Sequence, residues 1–234
     1  MSAEDPKVIV ALDYDNKEQA LNFLKQVDPT VCRLKVGKEM FTLFGPEFVK
    51  TLVDKQFDVF LDLKFHDIPN TVAKACKAAA ELGVWMVNVH ASGGKPMMLA
   101  AREAIDKSAH PQTKLIAVTV LTSMDQAQLD DVIGHTTTDE QVKKLGLLAQ
   151  AAGLDGVVCS GHEASMLRSC TSDHFLLVTP GIRPEGSNTG DQKRIMTPTQ
   201  AMSSGVSYLV MGRPITQAAQ PSAALARINQ SLHN

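Results

Sequence analysis

Short apolar runs rich in β-branched residues recur along the chain and alternate with segments that have helical spacing. In one such segment, Ala20, Phe23, Leu24 and Val27 fall on one helical face. Near-continuous apolar runs are typical of parallel strands covered on both faces, and the intervening helices supply that cover. Eight runs are predicted as strands: 8–13, 32–37, 59–65, 86–91, 114–122, 156–161, 175–183 and 207–213.

The number of strand-helix units indicates the architecture. Eight units in 234 residues favour a sheet closed into a (β/α)8 TIM barrel over an open, doubly wound α/β sheet. No linker or composition change marks a boundary, so residues 1–234 are expected to form a single domain. The polar, turn-rich segment 184–198 predicts a mobile loop after the seventh strand, and segment 123–139 is long enough to hold a short helix.

Composition and charge exclude several classes of protein. The chain has 23 Lys+Arg against 25 Asp+Glu, a net charge of −2, and 44% hydrophobic residues, which is typical of a soluble globular protein. It offers no basic field for nucleic acid and no apolar run near the roughly 18 residues of a membrane span. The acidic start lacks a signal-peptide cleavage site, so a cytoplasmic location is expected. Cysteines 32, 76, 159 and 170 form no C-x-x-C pair.

Charged residues inside the predicted strands are the strongest functional signal. In strand 59–65 the odd positions are apolar, whereas Asp62 and Lys64 share the opposite face. We expect that face to point into the barrel, with both residues near the C-terminal mouth where barrel active sites lie. The same parity places Lys35 beside them and Asp13 at the end of the first strand.

This array allows a structural and a functional interpretation. A buried ion pair kept for packing is the structural one, and Arg33 is expected deeper on the same face. Two unit charges about 4 Å apart interact by about 4 kcal/mol at an effective dielectric of 20, so four gathered charges favour a functional role. Carboxylates alternating with ammonium groups hold each other ionised and can deliver a proton.

The charged strand also carries a family resemblance. The run DLKFHDIPNT at 62–71 is similar to the signature of the orotidine 5′-monophosphate decarboxylase family, which makes UMP in pyrimidine synthesis. The D-x-K-x-x-D core is shared with sugar-phosphate decarboxylases and synthases, while the extension 65–71, the loop after strand seven and Gln192 favour the orotidylate family. Further matching segments are ALD at 11–13, LKVG at 34–37, LT at 121–122, TPGIR at 179–183 and VMGRP at 210–214.

The resemblance implies a lyase that releases CO₂ from orotidine 5′-monophosphate, works as a homodimer and needs no metal or organic cofactor. It implies that Lys64 gives a proton to C6 of the pyrimidine, flanked by Asp62, Lys35 and Asp67. It also implies that Asp67 and Thr71 reach into the partner subunit's site. The histidines fall on different units, which agrees with the expected lack of a metal site.

Phosphate binding is expected at the ends of strands seven and eight, as in many such barrels. These ends offer Arg213, the backbone of Gly212 and the loop residue Gln192, and the resemblance adds Arg183 to the same ligand set. By resemblance, Asp13 and Lys35 contact the ribose hydroxyls, and Asp62 lies near the substrate carboxylate. Thr122 is expected near the base, Ser123 is one candidate for the pyrimidine edge, and Pro180 either packs on the ring or is a simple turn proline.

Two alternatives remain open from the sequence. One is a magnesium-dependent sugar-phosphate decarboxylase of the same barrel type. The other is a nucleotide-binding barrel without catalysis, against which the intact set Lys35, Asp62, Lys64 and Asp67 argues.

Overall fold

A computed structural model of the chain describes residues 5–184 and 196–232. Eight strands close into one barrel in sequence order, with helices between them, which confirms the predicted (β/α)8 fold. The strands are β1 Val8–Leu12, β2 Arg33–Gly37, β3 Val59–Phe65, β4 Met86–His90, β5 Lys114–Val118, β6 Gly156–Val158, β7 Leu176–Thr179 and β8 Tyr208–Met211. The helices are α1 Lys17–Leu24, α2 Lys38–Asp54, α3 Pro69–Glu81, α4 Gly94–Asp106, α5 Gln126–Ile133, α6 Thr138–Ala151, α7 Gly161–Cys170, α8 Pro198–Ser203, α9 Arg213–Thr216 and α10 Pro221–Ser231, with a 3₁₀ turn at Ala91–Gly93.

Parallel pairing runs around the whole barrel. Each strand pairs with the next, and β1 pairs with β8 through registers such as Val8 with Leu209. The C-terminal ends of all eight strands therefore lie at the same mouth of the barrel, and the polar residues at these ends come together there. Within residues 5–184 and 196–232, no helix has the length and apolar character needed to cross a membrane.

Several predicted boundaries change in the structure, and β1 ends at Leu12, one residue before Asp13. Strands β5, β6 and β7 end earlier than predicted, because the chain leaves the barrel wall and turns into the loops of the mouth. The long segment 123–139 does hold a short helix, α5, whose first turn is capped by Asp125. Pro198 was wrongly assigned to the loop: it is the first residue of α8, and Thr197 caps that helix by accepting the Gln200 N–H. Residues 185–195 of the predicted loop lie outside the described residues.

The core has two parts, one inside the barrel and one between the strands and the helices. Phe60 lies in the interior part, as the alternation in its strand predicts. The interior is filled by packed side chains below the mouth, so the space open to a ligand is at the C-terminal end. The interior residues are Ile9, Ala11, Phe60, Met86, Ile116, Val178, Tyr208 and Val210.

Arg33 closes the N-terminal end of the barrel. Its guanidinium forms ion pairs with Asp5 at 2.8 Å and Asp58 at 3.0 Å, and its carbon atom lies 4.2 Å from the ring centroid of Trp85 and 5.0 Å from that of Tyr208. Such cation-π contacts with a largely buried arginine stabilise the fold. The parity prediction for Arg33 is therefore confirmed, and its place is the floor of the barrel, away from the mouth.

Candidate active site

Four charged side chains form an alternating array at the mouth: two on β3, one on β2 and one directly after β1. Lys64 Nζ donates to Asp62 Oδ1 at 2.6 Å, and Asp62 Oδ2 lies 3.3 Å from Lys35 Nζ. Lys35 Nζ in turn lies 3.9 Å from Asp13 Oδ1. The side chains of Asp62 and Lys35 are 12% exposed, that of Lys64 is 27% exposed and that of Asp13 is 62% exposed, so the array is most buried at its centre and reaches the rim at Asp13. The structure thus brings together the four residues that strand parity grouped.

The carboxyl of Asp62 is the centre of this array. Burial by itself would raise its pKa, but the charges of Lys35 and Lys64 and the hydrogen bonds from Lys64 and Asn88 outweigh burial. The net effect holds the pKa of Asp62 below its ordinary value. Asp62 therefore stays ionised and anchors the ammonium groups on both sides.

The backbone of Lys64 leaves the regular strand. Its φ is +55°, in the left-handed region that residues with a Cβ seldom adopt. The register between β3 and β4 shifts at the same place: Leu61 pairs with Val87, and the next pair is Phe65 with Val89. Such a bulge re-aims a side chain and is common beside active sites. Here the bulge contains Lys64 and lies at the mouth of the barrel.

Asn88 is a site residue that the sequence reasoning missed. It is fully buried, its Oδ1 accepts the backbone N–H of Lys64 at 2.8 Å, and its Nδ2 donates to Asp62 Oδ1 at 2.7 Å. It lies on the interior face of β4 with Met86, two residues before it. It carries no charge, so the pattern of charged residues at interior positions does not include it. The same parity rule applied to all polar residues would have found it.

A cavity of about 190 Å³ opens beside the array. Lys35, Asp62 and Lys64 form its charged wall, and Thr122 and Pro180 also line it. An apolar wall keeps the local dielectric low, which strengthens the field of the lysines. The rest of the lining is Phe60, Val118, Val120, Leu121, Val158, Val178 and Val210.

Asp67 and Thr71 lie on the outer surface after β3. The Asp67 carboxylate accepts the backbone N–H of Ile68 at 2.7 Å, and Thr71 is exposed in the first turn of α3. In the part of the chain that the structure describes, no ion pair joins Asp67 to a lysine of the array. Within one subunit the structure therefore does not bring Asp67 into the array. Ile68, between the two residues, is a large apolar side chain left 65% exposed.

The predicted phosphate residues lie at the ends of β7 and β8. Arg213 is the first residue of α9 and is exposed, directly after Gly212. A Cβ on Gly212 would come within 3.3 Å of Asp13 Oδ2, so this glycine leaves room for the carboxylate. Arg183 is 8% exposed, and its backbone N–H donates to Met196 at 3.0 Å. Gln192 lies outside the described residues.

His90 stands at the rim of the site, where its ring centroid lies 5.4 Å from that of His66. Burial, followed by the positive charges of His66, Lys64 and Lys38, lowers the pKa of His90 to about 4. The imidazole is therefore neutral near pH 7 and adds no charge to the array. In residues 5–184 and 196–232, no three His, Cys, Asp or Glu side chains form a set that could hold a metal ion.

We expect His90 to make the fold sensitive to acid. Its pKa is 6.5 in an unfolded chain and about 4 in the fold, so between these values the unfolded state binds more protons. The free energy of unfolding should therefore fall as the pH drops from 6.5 to 4. Because the ring is only partly buried, we expect a loss of about 1–2 kcal/mol. Urea unfolding near neutral pH and in acid should show a smaller loss in the free energy of unfolding for His90→Gln than for the unaltered protein.

The control for this experiment is His174→Gln, since His174 is exposed and lies after α7. An acid-induced loss in His90→Gln equal to that of the unaltered protein would contradict the assignment.

A closed parallel barrel with two lysines and an aspartate on the wall of a cavity at its C-terminal mouth defines a TIM-barrel enzyme. Residues 6–228 match the model of the orotidine 5′-phosphate decarboxylase / HUMPS family. The chain belongs to this family.

Relatives along the whole length agree with that membership. The chain is 64% identical to the orotidine 5′-phosphate decarboxylase of Pseudoalteromonas atlantica, covering 98% of this chain and 99% of the relative. It is 62% identical to the protein of the same name from Vibrio cholerae, covering 97% and 99%. The crystal structure of orotidine 5′-phosphate decarboxylase from Lactobacillus acidophilus superposes with a TM-score of 0.88 at 40% identity, covering 98% of this chain and 100% of that one.

Proposed function

We propose that this protein is a carboxy-lyase that converts orotidine 5′-phosphate to UMP and CO₂ in pyrimidine biosynthesis. The observation that carries the proposal is the alternating array of Lys64, Asp62, Lys35 and Asp13, of which the first three line the cavity. Relatives that bear this enzyme's name are 62–64% identical over nearly the full length.

Lys64 is the proton donor in the proposed mechanism. Loss of CO₂ leaves a pair of electrons at C6 of the pyrimidine with little delocalisation, so the barrier falls when a fixed positive charge already faces that atom. The Lys64 ammonium is held at 2.6 Å by Asp62 on the charged wall of the cavity. It supplies the field as the C–C bond breaks and then transfers a proton to C6.

Asp62 and Lys35 prepare the site for this step. We place Asp62 near the substrate carboxylate, where their repulsion is relieved once CO₂ departs, although stabilisation of the carbanion is the larger contribution. Lys35 and Asp13, farther toward the rim, are proposed to bind the ribose hydroxyls. Asp67 of the partner subunit completes the charged set in this proposal.

The proposed chemistry uses no metal or organic cofactor, because Lys64 supplies both the field and the proton. A decisive assay follows the loss of orotate absorbance when orotidine 5′-phosphate is added with excess chelator present. Sustained turnover supports the proposal and excludes the magnesium-dependent sugar-phosphate decarboxylase. Folded protein that binds UMP without turnover would identify a nucleotide-binding barrel instead.

The protein is proposed to act as a homodimer in which each site is shared. Supporting this, Asp67 and Thr71 are exposed beside Ile68, an apolar residue that a second subunit could cover. Asp67 can then reach the lysines of the partner's array, which it does not contact within its own chain.

Arg213 is proposed to bind the phosphate, together with Arg183, Gln192 and the backbone of Gly212. We expect Arg213→Ala to lower kcat/KM for orotidine 5′-phosphate by roughly 10²-fold or more, because a charge-assisted, bidentate contact is lost. The nucleoside orotidine carries no phosphate, so its slow decarboxylation should be nearly unchanged. Steady-state kinetics with both substrates measures the difference. An equal loss with both would contradict a phosphate contact.

A further inference from the structure

We propose that Asn88 is a positioning residue that sets both the backbone of Lys64 and the carboxylate of Asp62 for proton transfer. This inference rests on the proposed function. Asn88 contacts both residues through the two ends of one amide, at 2.8 Å to the Lys64 N–H and 2.7 Å to Asp62 Oδ1. It is fully buried in the interior of the barrel below the mouth.

The first contact fixes the bulge. Between the pairs Leu61 with Val87 and Phe65 with Val89, β3 advances four residues while β4 advances two. Lys64 falls in this interval, and its backbone N–H donates to the side chain of Asn88. That hydrogen bond holds a left-handed conformation, φ +55°, which is unfavourable for a residue with a Cβ.

The second contact fixes the carboxylate. Asp62 Oδ1 accepts from Asn88 Nδ2 and from Lys64 Nζ at the same time. The Asn88 N–H therefore fixes the orientation of the Asp62 carboxylate. That carboxylate in turn holds the Lys64 ammonium in place. The Asn88 amide thus fixes both the backbone of Lys64, from which the side chain starts, and the position of the Lys64 ammonium group. An asparagine can do both because its side chain has an acceptor and a donor.

The side chains around Asn88 determine which group a carboxyl introduced at this position would interact with. Asp62 and Lys64 face it from β3, and Lys35 lies beyond Asp62 on β2. His90 follows on β4, and His66 stacks near His90. On the other side, β5 places Ile116 opposite Asn88 and Val118 opposite His90, and neither is charged. A carboxyl introduced at position 88 would therefore interact first with the Asp62 carboxylate.

Asn88→Asp separates positioning from general packing. At about pH 8 the introduced carboxylate repels Asp62, and two carboxylates in contact strongly raise one pKa of the pair. At about pH 5.5 the pair shares one proton, and the introduced carboxyl can again donate to Asp62 while its other oxygen accepts the Lys64 N–H. We expect the ratio of kcat for Asn88→Asp to kcat for the unaltered enzyme to rise at least about tenfold from pH 8 to 5.5.

Asn88→Ala removes both contacts. We expect kcat to fall about 10–100-fold while KM for orotidine 5′-phosphate changes less than about threefold, because substrate contacts remain and only the donor is misplaced. The matched control is Thr113→Val, which removes a buried hydrogen bond to Val84 at the start of β5, away from the mouth. It should lower thermal stability without this loss in kcat.

Calorimetric UMP binding and thermal unfolding establish that each variant is folded. A kcat of Asn88→Ala within about threefold of the unaltered enzyme, or a loss confined to KM, would overturn the inference. A flat pH ratio for Asn88→Asp would overturn it as well, and that measurement decides the matter if Asn88→Ala does not fold. Absence of turnover in the unaltered protein would instead refute the proposed function.

Discussion

Replacing Lys64 with alanine is expected to abolish measurable decarboxylation while leaving UMP binding largely intact. The substitution removes the proposed proton donor and also the positive charge that is proposed to face C6. General acid catalysis contributes about 10²–10⁴-fold and a fixed electrostatic contact about 10²–10³-fold, so a loss of at least about 10⁴-fold in kcat is expected. Orotate absorbance under saturating substrate and calorimetric UMP titration measure the two quantities.

The surrounding structure makes this substitution a clean test. Asp62 keeps the ion pair with Lys35 at 3.3 Å and the hydrogen bond from Asn88, so its carboxylate is not left unpaired. Alanine, like lysine, has a Cβ, so the substitution does not change the steric cost of the left-handed backbone conformation at position 64. Lys17→Ala, at an exposed position of α1, is the control for loss of a lysine. Turnover of Lys64→Ala near that of the unaltered enzyme would remove Lys64 from the mechanism.

Strand parity was sufficient to predict the centre of the site. Because successive side chains alternate between the two faces of a strand, Asp62 and Lys64 could be placed inside the barrel from β3 alone. Lys35 and Asp13 followed from their own strands, and the structure brings all four together. The roles of these residues remain predictions, as do a single domain over residues 1–234 and a cytoplasmic location.

What parity could not predict depends on contacts between distant parts of the chain. The left-handed conformation of Lys64 arises from the shifted register between β3 and β4, which no local pattern in β3 records. Arg33 lies deeper on the interior face, as its place at the start of β2 predicts, but its partners Asp5, Asp58 and Trp85 are distant in the sequence. The pattern of β2 alone does not identify those partners.

Asp67 shows a different limit. It follows β3 out of phase with Asp62, and in the structure its carboxylate bonds to the adjacent Ile68 N–H on the surface. Within a single chain, Asp67 is therefore not part of the array. The family resemblance alone assigns it to the site of a second subunit, so its role has to be tested on the dimer.

Mixing two inactive variants should restore activity if each site is shared between subunits. In Lys64→Ala the proton donor is missing, and in Asp67→Ala the residue proposed to reach the partner's site is missing. Random exchange of subunits would make about half of the dimers mixed, and each mixed dimer would contain one site with both residues intact. We expect the mixture to regain about a quarter of the activity of the unaltered enzyme, measured after co-expression with two affinity tags.

The matched control is the pair Lys64→Ala and Asp62→Asn. These residues touch within one subunit at 2.6 Å, so every site in a mixed dimer lacks one of them and no activity should return. Recovery in this control would mean that exchange is not the cause of the regained turnover. No recovery with Asp67→Ala, although mixed dimers are isolated through both tags, would contradict the shared site and would require that the exposed Asp67 carboxylate act within its own chain or not at all.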